Sequence, residues 1–185
     1  MISPAEPALS AQTAWMLWHD EQETMWAAHH LAKQPLLENV FIELRGGLGS
    51  GKTTFSRYLL QALGITGRIK SPTYAVVESY EARSFPVWHF DFYRFNDPQE
   101  WEDAGFRDIF ATDGLKLAEW PEQAEGLLPQ ADLKLLITPD MNNNERRVDI
   151  QAMTEAGQSI LAGWLRAIQN DPMNLKNIPE NKNKP

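Results

Sequence analysis

A chain of 185 residues, 43% hydrophobic and 23% charged, has the balance of one globular domain able to bury its own core, with no room for a second full domain. It has no cysteine, which excludes disulfides, thiolate catalysis and sulfur-ligated metals and suits a reducing compartment, so the cytoplasm is the expected location. A net charge of −8 disfavours autonomous RNA or DNA binding, and no stretch approaches the roughly 18 consecutive apolar residues of a membrane span.

Residues 1–13 (MISPAEPALSAQT) carry neither the basic start nor the apolar run of a secretory signal. Residues 1–19 as a whole are expected to form a flexible leader. Glu21 to Lys33 is predicted to be a helix capped by Asp20, with Met25, Trp26 and His29 turned to the core. Val40 to Leu44 (VFIEL) is a short apolar strand that runs into the glycine-rich segment Gly46 to Gly51. The helix that follows is predicted over Thr53 to Leu63, with Phe55, Leu59, Leu60 and Leu63 at helical intervals and Gly64 as its C-terminal cap.

Tyr74 to Tyr80 and Pro86 to Tyr93 are β-rich runs separated by EARSF, which predicts an antiparallel hairpin. Asp97 and Pro98 open a polar helix that Gly105 closes, and Leu115 to Ala118 forms a short strand before Glu119. Strand signals return over Leu133 to Thr138 and Arg147 to Ala152. The asparagines 142–144 form a turn between them, and Glu145 to Arg147 is read as part of that hairpin connection. Glu155 to Ile168 is a last amphipathic helix. Residues 169–185, rich in Asn, Pro and Lys, bury too little apolar surface to order and are expected to be a disordered tail. The elements sum to a single α/β domain over 20–168, a mixed central sheet with helices on both faces.

Gly46-Gly47-Leu48-Gly49-Ser50-Gly51-Lys52-Thr53 fits the phosphate-loop pattern G-x-x-x-x-G-K-[ST] between a strand and a helix. In such a loop, glycines let backbone N–H groups curl around phosphate oxygens where a Cβ would obstruct them, and the helix start adds its positive dipole end. This assigns ATP and Mg2+ as ligands and a three-layer P-loop NTPase fold. Leu48, Gly49, Ser50, Gly51, Lys52 and Thr53 form the phosphate site, Lys52 reaching the β- and γ-phosphates and the Thr53 hydroxyl joining the magnesium shell.

A P-loop enzyme also needs an acid near the magnesium, at the end of an apolar strand. Asp91 after Val87-Trp88-His89-Phe90 and Glu119 after Leu115-Lys116-Leu117-Ala118 both qualify, and the spacing leaves the choice open. Ser71-Pro72-Thr73 reads either as a switch segment, with the Thr73 hydroxyl sensing a γ-phosphate or its metal, or as a plain capping loop.

Four segments in order, GGLGSGKTTFSR, KSPTYAVVESY, HFDFYRF with DPQEWEDAGFRDIF, and LAEWPEQ, resemble the TsaE (YjeE) family of bacterial tRNA threonylcarbamoyladenosine synthesis, across about Glu21 to Ala167. The resemblance implies an ATPase that binds ATP and magnesium and joins two partners, TsaB and the transferase TsaD. Together these install threonylcarbamoyl on adenosine 37 of tRNAs that read codons beginning with A. It also implies that Glu119 is the metal-side acid, that Asp91 and Thr73 act near the γ-phosphate, and that Trp120 is important for activity. Glu21 aligns with a nucleotide-contacting position. Gly47 stands where the family usually has an acidic residue, a slot that does not touch phosphate.

The acidity of the chain predicts that tRNA is contacted through the partners. Arg94 and Arg107 are expected to be surface ion-pair residues, which leaves no arginine finger and predicts slow intrinsic turnover. Two other readings remain at the level of sequence. One is an independent small-molecule kinase, for which no arginine-rich lid segment is present; the other is a nucleotide-gated binding module whose hydrolysis is incidental.

Overall fold

Short apolar runs in the middle of the sequence become the buried strands of a seven-stranded sheet. The structure, a computed structural model, describes residues 11–82, 84–140 and 144–171. The strands are β1 (Gln12–Trp18), β2 (Phe41–Arg45), β3 (Val77–Glu81), β4 (Pro86–Asp91), β5 (Leu115–Glu119), β6 (Leu133–Pro139) and β7 (Arg146–Ala152). Their order in the sheet is β1-β7-β6-β2-β5-β4-β3. Four strands, β6, β2, β5 and β4, run parallel, and antiparallel β7, β1 and β3 extend the two edges.

The alternation of side chains along the parallel strands divides the core in two. Ile42 and Leu44 of β2 and Leu115 and Leu117 of β5 face helices α1 (Glu21–Leu31), α2 (Lys52–Ala62) and α5 (Glu155–Asn170). Phe41 and Ala118, one position away on the same strands, face an aromatic cluster of Phe90, Phe92, Phe95, Trp101 and Phe106 under α3 (Pro98–Asp103) and α4 (Phe106–Ala111). Buried on both faces, these strands read as continuous apolar runs. The helices on both faces and the mixed sheet agree with the sequence reading.

Several local expectations are corrected. Residues 12–18, read as leader, form β1, which pairs with β7 along its full length from Gln12 opposite Ala152 to Trp18 opposite Arg146. Ala14, Met16 and Trp18 point inward, and the Trp18 ring stacks on Phe55 of α2 at 5.3 Å. The remaining leader residues 1–10, two of the three turn asparagines (142 and 143) and residues 172–185 of the expected tail lie outside the described residues.

Asp20 caps α1 as expected, accepting from the Glu23 N–H, but Met25 and His29 face outward. The inward stripe is Ala27, Ala28, His30 and Leu31, whose small members let α1 close on α5; Trp164 Nε1 donates to the Ala27 carbonyl at 2.9 Å. Trp26 and His30 instead meet Asp171 at the end of α5, at 3.0 and 2.8 Å.

The β3–β4 hairpin is antiparallel, but β3 begins at Val77. Tyr74 to Val76 form a turn in which the Val76 N–H donates to the Pro72 carbonyl at 2.7 Å, and Val76 takes a φ of +65°. That φ is unusual for a β-branched residue. Helix α4 had no sequence counterpart. Among the described residues no helix is long and apolar enough to cross a membrane.

Candidate functional site

The loop between β2 and α2 is shaped by what surrounds it. Gly46 has a φ of +138°, and a Cβ there would lie 2.3 Å from the Ile137 carbonyl oxygen of β6, so the loop is pressed against the neighbouring strand. Gly51 caps α2 with a φ of +111°, a conformation costly to any side chain. Ser50, between them, is fully buried, and its Oγ has no hydrogen-bond partner.

Lys52 folds back over this loop. Its Nζ donates to the carbonyls of Gly46 at 2.7 Å and Gly47 at 2.9 Å and lies 3.8 Å from the Trp120 ring centre. Burial pulls its pKa below the usual lysine value, while Glu119, Glu122 and Asp91 oppose that shift. The ammonium is held by the two loop carbonyls and the Trp120 ring, and the three carboxylates act on it through their field.

Glu119 ends β5 and is 1% exposed. Its Oε2 accepts from Thr53 Oγ1 at 2.7 Å, and its Oε1 accepts from Ser56 Oγ at 3.3 Å and lies 2.8 Å from Nε2 of His89 on β4. His89 is wholly buried, and with Nε2 donating to the carboxylate its Nδ1 faces no donor. Asp91 sits directly across from Glu119 in the parallel β4–β5 register, so two strand ends deliver two acids at the same level. Asp91 Oδ2 accepts from Thr73 Oγ1 at 2.7 Å and from Ser71 Oγ, and its Oδ1 accepts the Tyr93 N–H at 3.0 Å. Trp120, with a left-handed φ of +57°, turns from Glu119 to rest against Tyr93, ring centres 5.0 Å apart.

These groups open on one cleft of about 320 Å³. Leu48, Gly49, Ser50, Gly51, Lys52, Thr53, Thr73, Asp91, Glu119 and Trp120, all singled out in the sequence, line it together. Glu21 does not. It accepts from Tyr58 at 2.6 Å and Arg57 at 3.3 Å on the exposed side of α2, where two long side chains reach it before any ligand in the cleft could.

Four further residues join the site. Ser71 and Tyr93 line it, His89 supports Glu119 from beneath, and Arg146 reaches in from β7. Arg146 Nε donates to the Ser50 carbonyl at 3.0 Å, although its sequence context reads as a hairpin connection. Only the strand order brings it to the loop. His89 had a signal, a polar residue two before Asp91 in an otherwise apolar strand. Arg94 stacks over Tyr74 at 4.6 Å and Arg107 pairs with Glu102, and neither lines the cleft.

A parallel-strand core, a glycine loop opening α2 and two acids on the carboxyl edge of the sheet define the P-loop NTPase fold. The crystal structure of Bacillus subtilis YdiB has this fold, with a TM-score of 0.68 over 85% of this chain and 97% of that one at 24% sequence identity. The family described as "Threonylcarbamoyl adenosine biosynthesis protein TsaE" matches residues 18–148. Proteins named "tRNA threonylcarbamoyladenosine biosynthesis protein TsaE" are similar in sequence. The one from Haemophilus influenzae is 42% identical over 125 residues, covering 68% of this chain and 78% of that protein, and the one from Rickettsia felis is 32% identical over 82% and 86%. The chain belongs to the TsaE family, whose proteins take part in tRNA threonylcarbamoyladenosine biosynthesis.

Proposed function

We propose that the chain is a magnesium-dependent ATPase that works with TsaB and TsaD, the transferase, to sustain threonylcarbamoylation of adenosine 37 in tRNAs reading codons that begin with A. The observation that carries this reading is the 2.7 Å bond between Thr53 Oγ1 and Glu119 Oε2, which joins the first turn of α2 to the end of β5 beside Lys52. While Thr53 donates that proton to the carboxylate, its oxygen keeps lone pairs for a cation.

The residues present fit Mg-ATP. A Cβ at Gly46 would collide with the Ile137 carbonyl and the Ser50 side chain, so glycine is what lets the loop close there, and the buried Ser50 Oγ is left without a partner. Thr53 and Glu119 would hold the magnesium, and the backbone N–H groups from Leu48 to Thr53 would take the phosphates. Bound magnesium supplies neutralisation of phosphate charge. Lys52 would exchange its two loop carbonyls for β- and γ-phosphate oxygens. Asp91, fixed by Ser71 and Thr73, would orient water at the γ end, while His89 keeps Glu119 directed at Thr53. The net charge of −8 supports tRNA contact through the partners rather than through this chain's own surface.

The test is reconstitution with TsaB, TsaD, tRNA and threonylcarbamoyl-adenylate. Native protein is expected to sustain many rounds of tRNA modification and Lys52→Ala to stall after the first; equal yields from the two would overturn the reading.

A further inference from the structure

The two edges of the sheet are unlike. At one edge, β3 is short and carries Glu78 and Glu81, the kind of charge that keeps an edge from pairing with another chain. At the other edge, β1 runs for seven residues, QTAWMLW, with no charge, proline or glycine. Its register with β7 is unbroken from Gln12 to Trp18, so no bulge turns it away. Among the described residues no strand lies beside its outer edge, whose backbone groups are a template for one more strand.

The sheet face next to this edge is apolar as well. Residues directly opposite each other share a face, so Trp15, Asp149 and Leu136 form one row across β1, β7 and β6, and Leu17, Arg147 and Thr138 form the next. Trp15, Leu17 and Leu136 stand exposed there, while α1, α2 and α5 pack on the opposite face. Arg147 lies 5.0 Å from the Trp15 ring and pairs with Asp149, so the charges on this face neutralise each other.

The distribution of charge selects what can pair with β1. Asp20, Glu21 and Glu23 follow its end, where His19 also approaches Glu145 at 3.7 Å, whereas Ala11, Gln12 and Thr13 at its start are uncharged. An antiparallel second copy sets the acidic turn of each chain against the uncharged start of the other. The two acidic turns are then about 20 Å apart along the strands, well beyond the ~8 Å Debye length. A parallel copy would bring them together in a chain whose net charge is already −8.

We propose that β1 is a self-association edge, through which two copies of the chain pair antiparallel about a two-fold axis at Trp15, forming one continuous sheet. In that register Trp15 meets its counterpart and Leu17 meets Thr13 of the partner subunit. Trp18 at the end of β1 lies opposite Arg146, which lines the cleft, so the two clefts stand at opposite ends of the strand pair and both stay open. The pairing does not depend on what the cleft binds. One strand pair buries less than the about 1,200 Å² of a standard interface, so the dimer is weak, with a dissociation constant on the order of 10–100 μM.

Sedimentation velocity of the full chain from about 2 to about 200 μM tests this range. The native protein is expected to shift from monomer to dimer across it. Trp15→Glu and Trp15→Lys each place two like charges face to face at the axis and are expected to stay monomeric, while an equal mixture of the two variants associates again through opposite charges. Melting temperatures close to native confirm that the exposed substitutions leave the fold intact. A native protein that is monomeric throughout would overturn the proposal, and so would a dimer that survives in both variants or a mixture that fails to associate.

Discussion

Thr53 and Glu119 are 66 residues apart in the chain and meet through a 2.7 Å hydrogen bond, at the point where the first turn of α2 passes the end of β5. His89 holds the other oxygen of the same carboxylate at 2.8 Å. The acid is thus fixed at both oxygens by groups of the chain itself, the preorganisation that the proposed hydrolysis would draw on.

Glu119→Gln tests that arrangement. The amide keeps the size of the side chain and loses its charge. Mg-ATP affinity is expected to change by no more than a few-fold, while ATP turnover in the presence of TsaB and TsaD falls about 100-fold or more. Steady-state phosphate release beside nucleotide titration measures both. Normal multiple-turnover tRNA modification by this variant would favour a nucleotide-gated binding module whose hydrolysis is incidental.

Trp18→Ala tests whether residues 12–18 belong to the folded domain. Trp18 is 2% exposed and stacks on Phe55, which in turn leans on Trp164 at 6.3 Å between ring centres. Removing the indole is expected to cost about 3–5 kcal/mol in urea unfolding, in the range of aromatic truncations in a packed core. A residue in a flexible leader would give no change.

His19 makes part of the stability depend on pH. Its pKa is raised above the ordinary value of 6.5, first by the hydrogen bond to Glu23 and further by the charges of Glu23, Glu145 and Asp20, with slight burial opposing. A histidine with a raised folded-state pKa stabilises fully below its unfolded pKa, and the contribution disappears as pH rises through the folded value. The side chain is 39% exposed, so solvent screening holds the effect to a few tenths of a kcal/mol, on the order expected of surface pairs. The melting-temperature difference between native protein and His19→Gln should therefore be present near pH 6 and vanish by about pH 8; a difference that grows with pH contradicts the assignment.

The parts of the site legible in the sequence are those whose chemistry is local. Gly46 to Thr53 could be read because a backbone that curls around phosphate needs glycine at fixed steps, and Asp91 and Glu119 because an acid closing an apolar strand has one place to go. Arg146 was not legible. Its neighbours spell a turn, and its role depends on β7 lying beside β6, which no short window encodes. Strand β1 was hidden for a related reason: with Trp15 and Leu17 outward and Met16 and Trp18 inward, QTAWMLW shows no clean alternation, and an edge strand has meaning only through its partner. Tyr74 to Val76 shows the reverse error. A β-rich run was bent into a turn because the Val76 carbonyl accepts the Asp91 N–H at 2.9 Å, a bond that ties the segment to the acid.

The strand order carries a kinetic consequence. The cleft draws on β2, β4, β5 and β7, so its groups assemble only after chain segments far apart in sequence have found each other, and parallel pairing of this kind is slow. No early fragment of the chain holds a working site. During refolding, competence to bind ligand should appear in the last phase, together with full burial of Trp164, so that the site matures as a sign that the whole domain is finished.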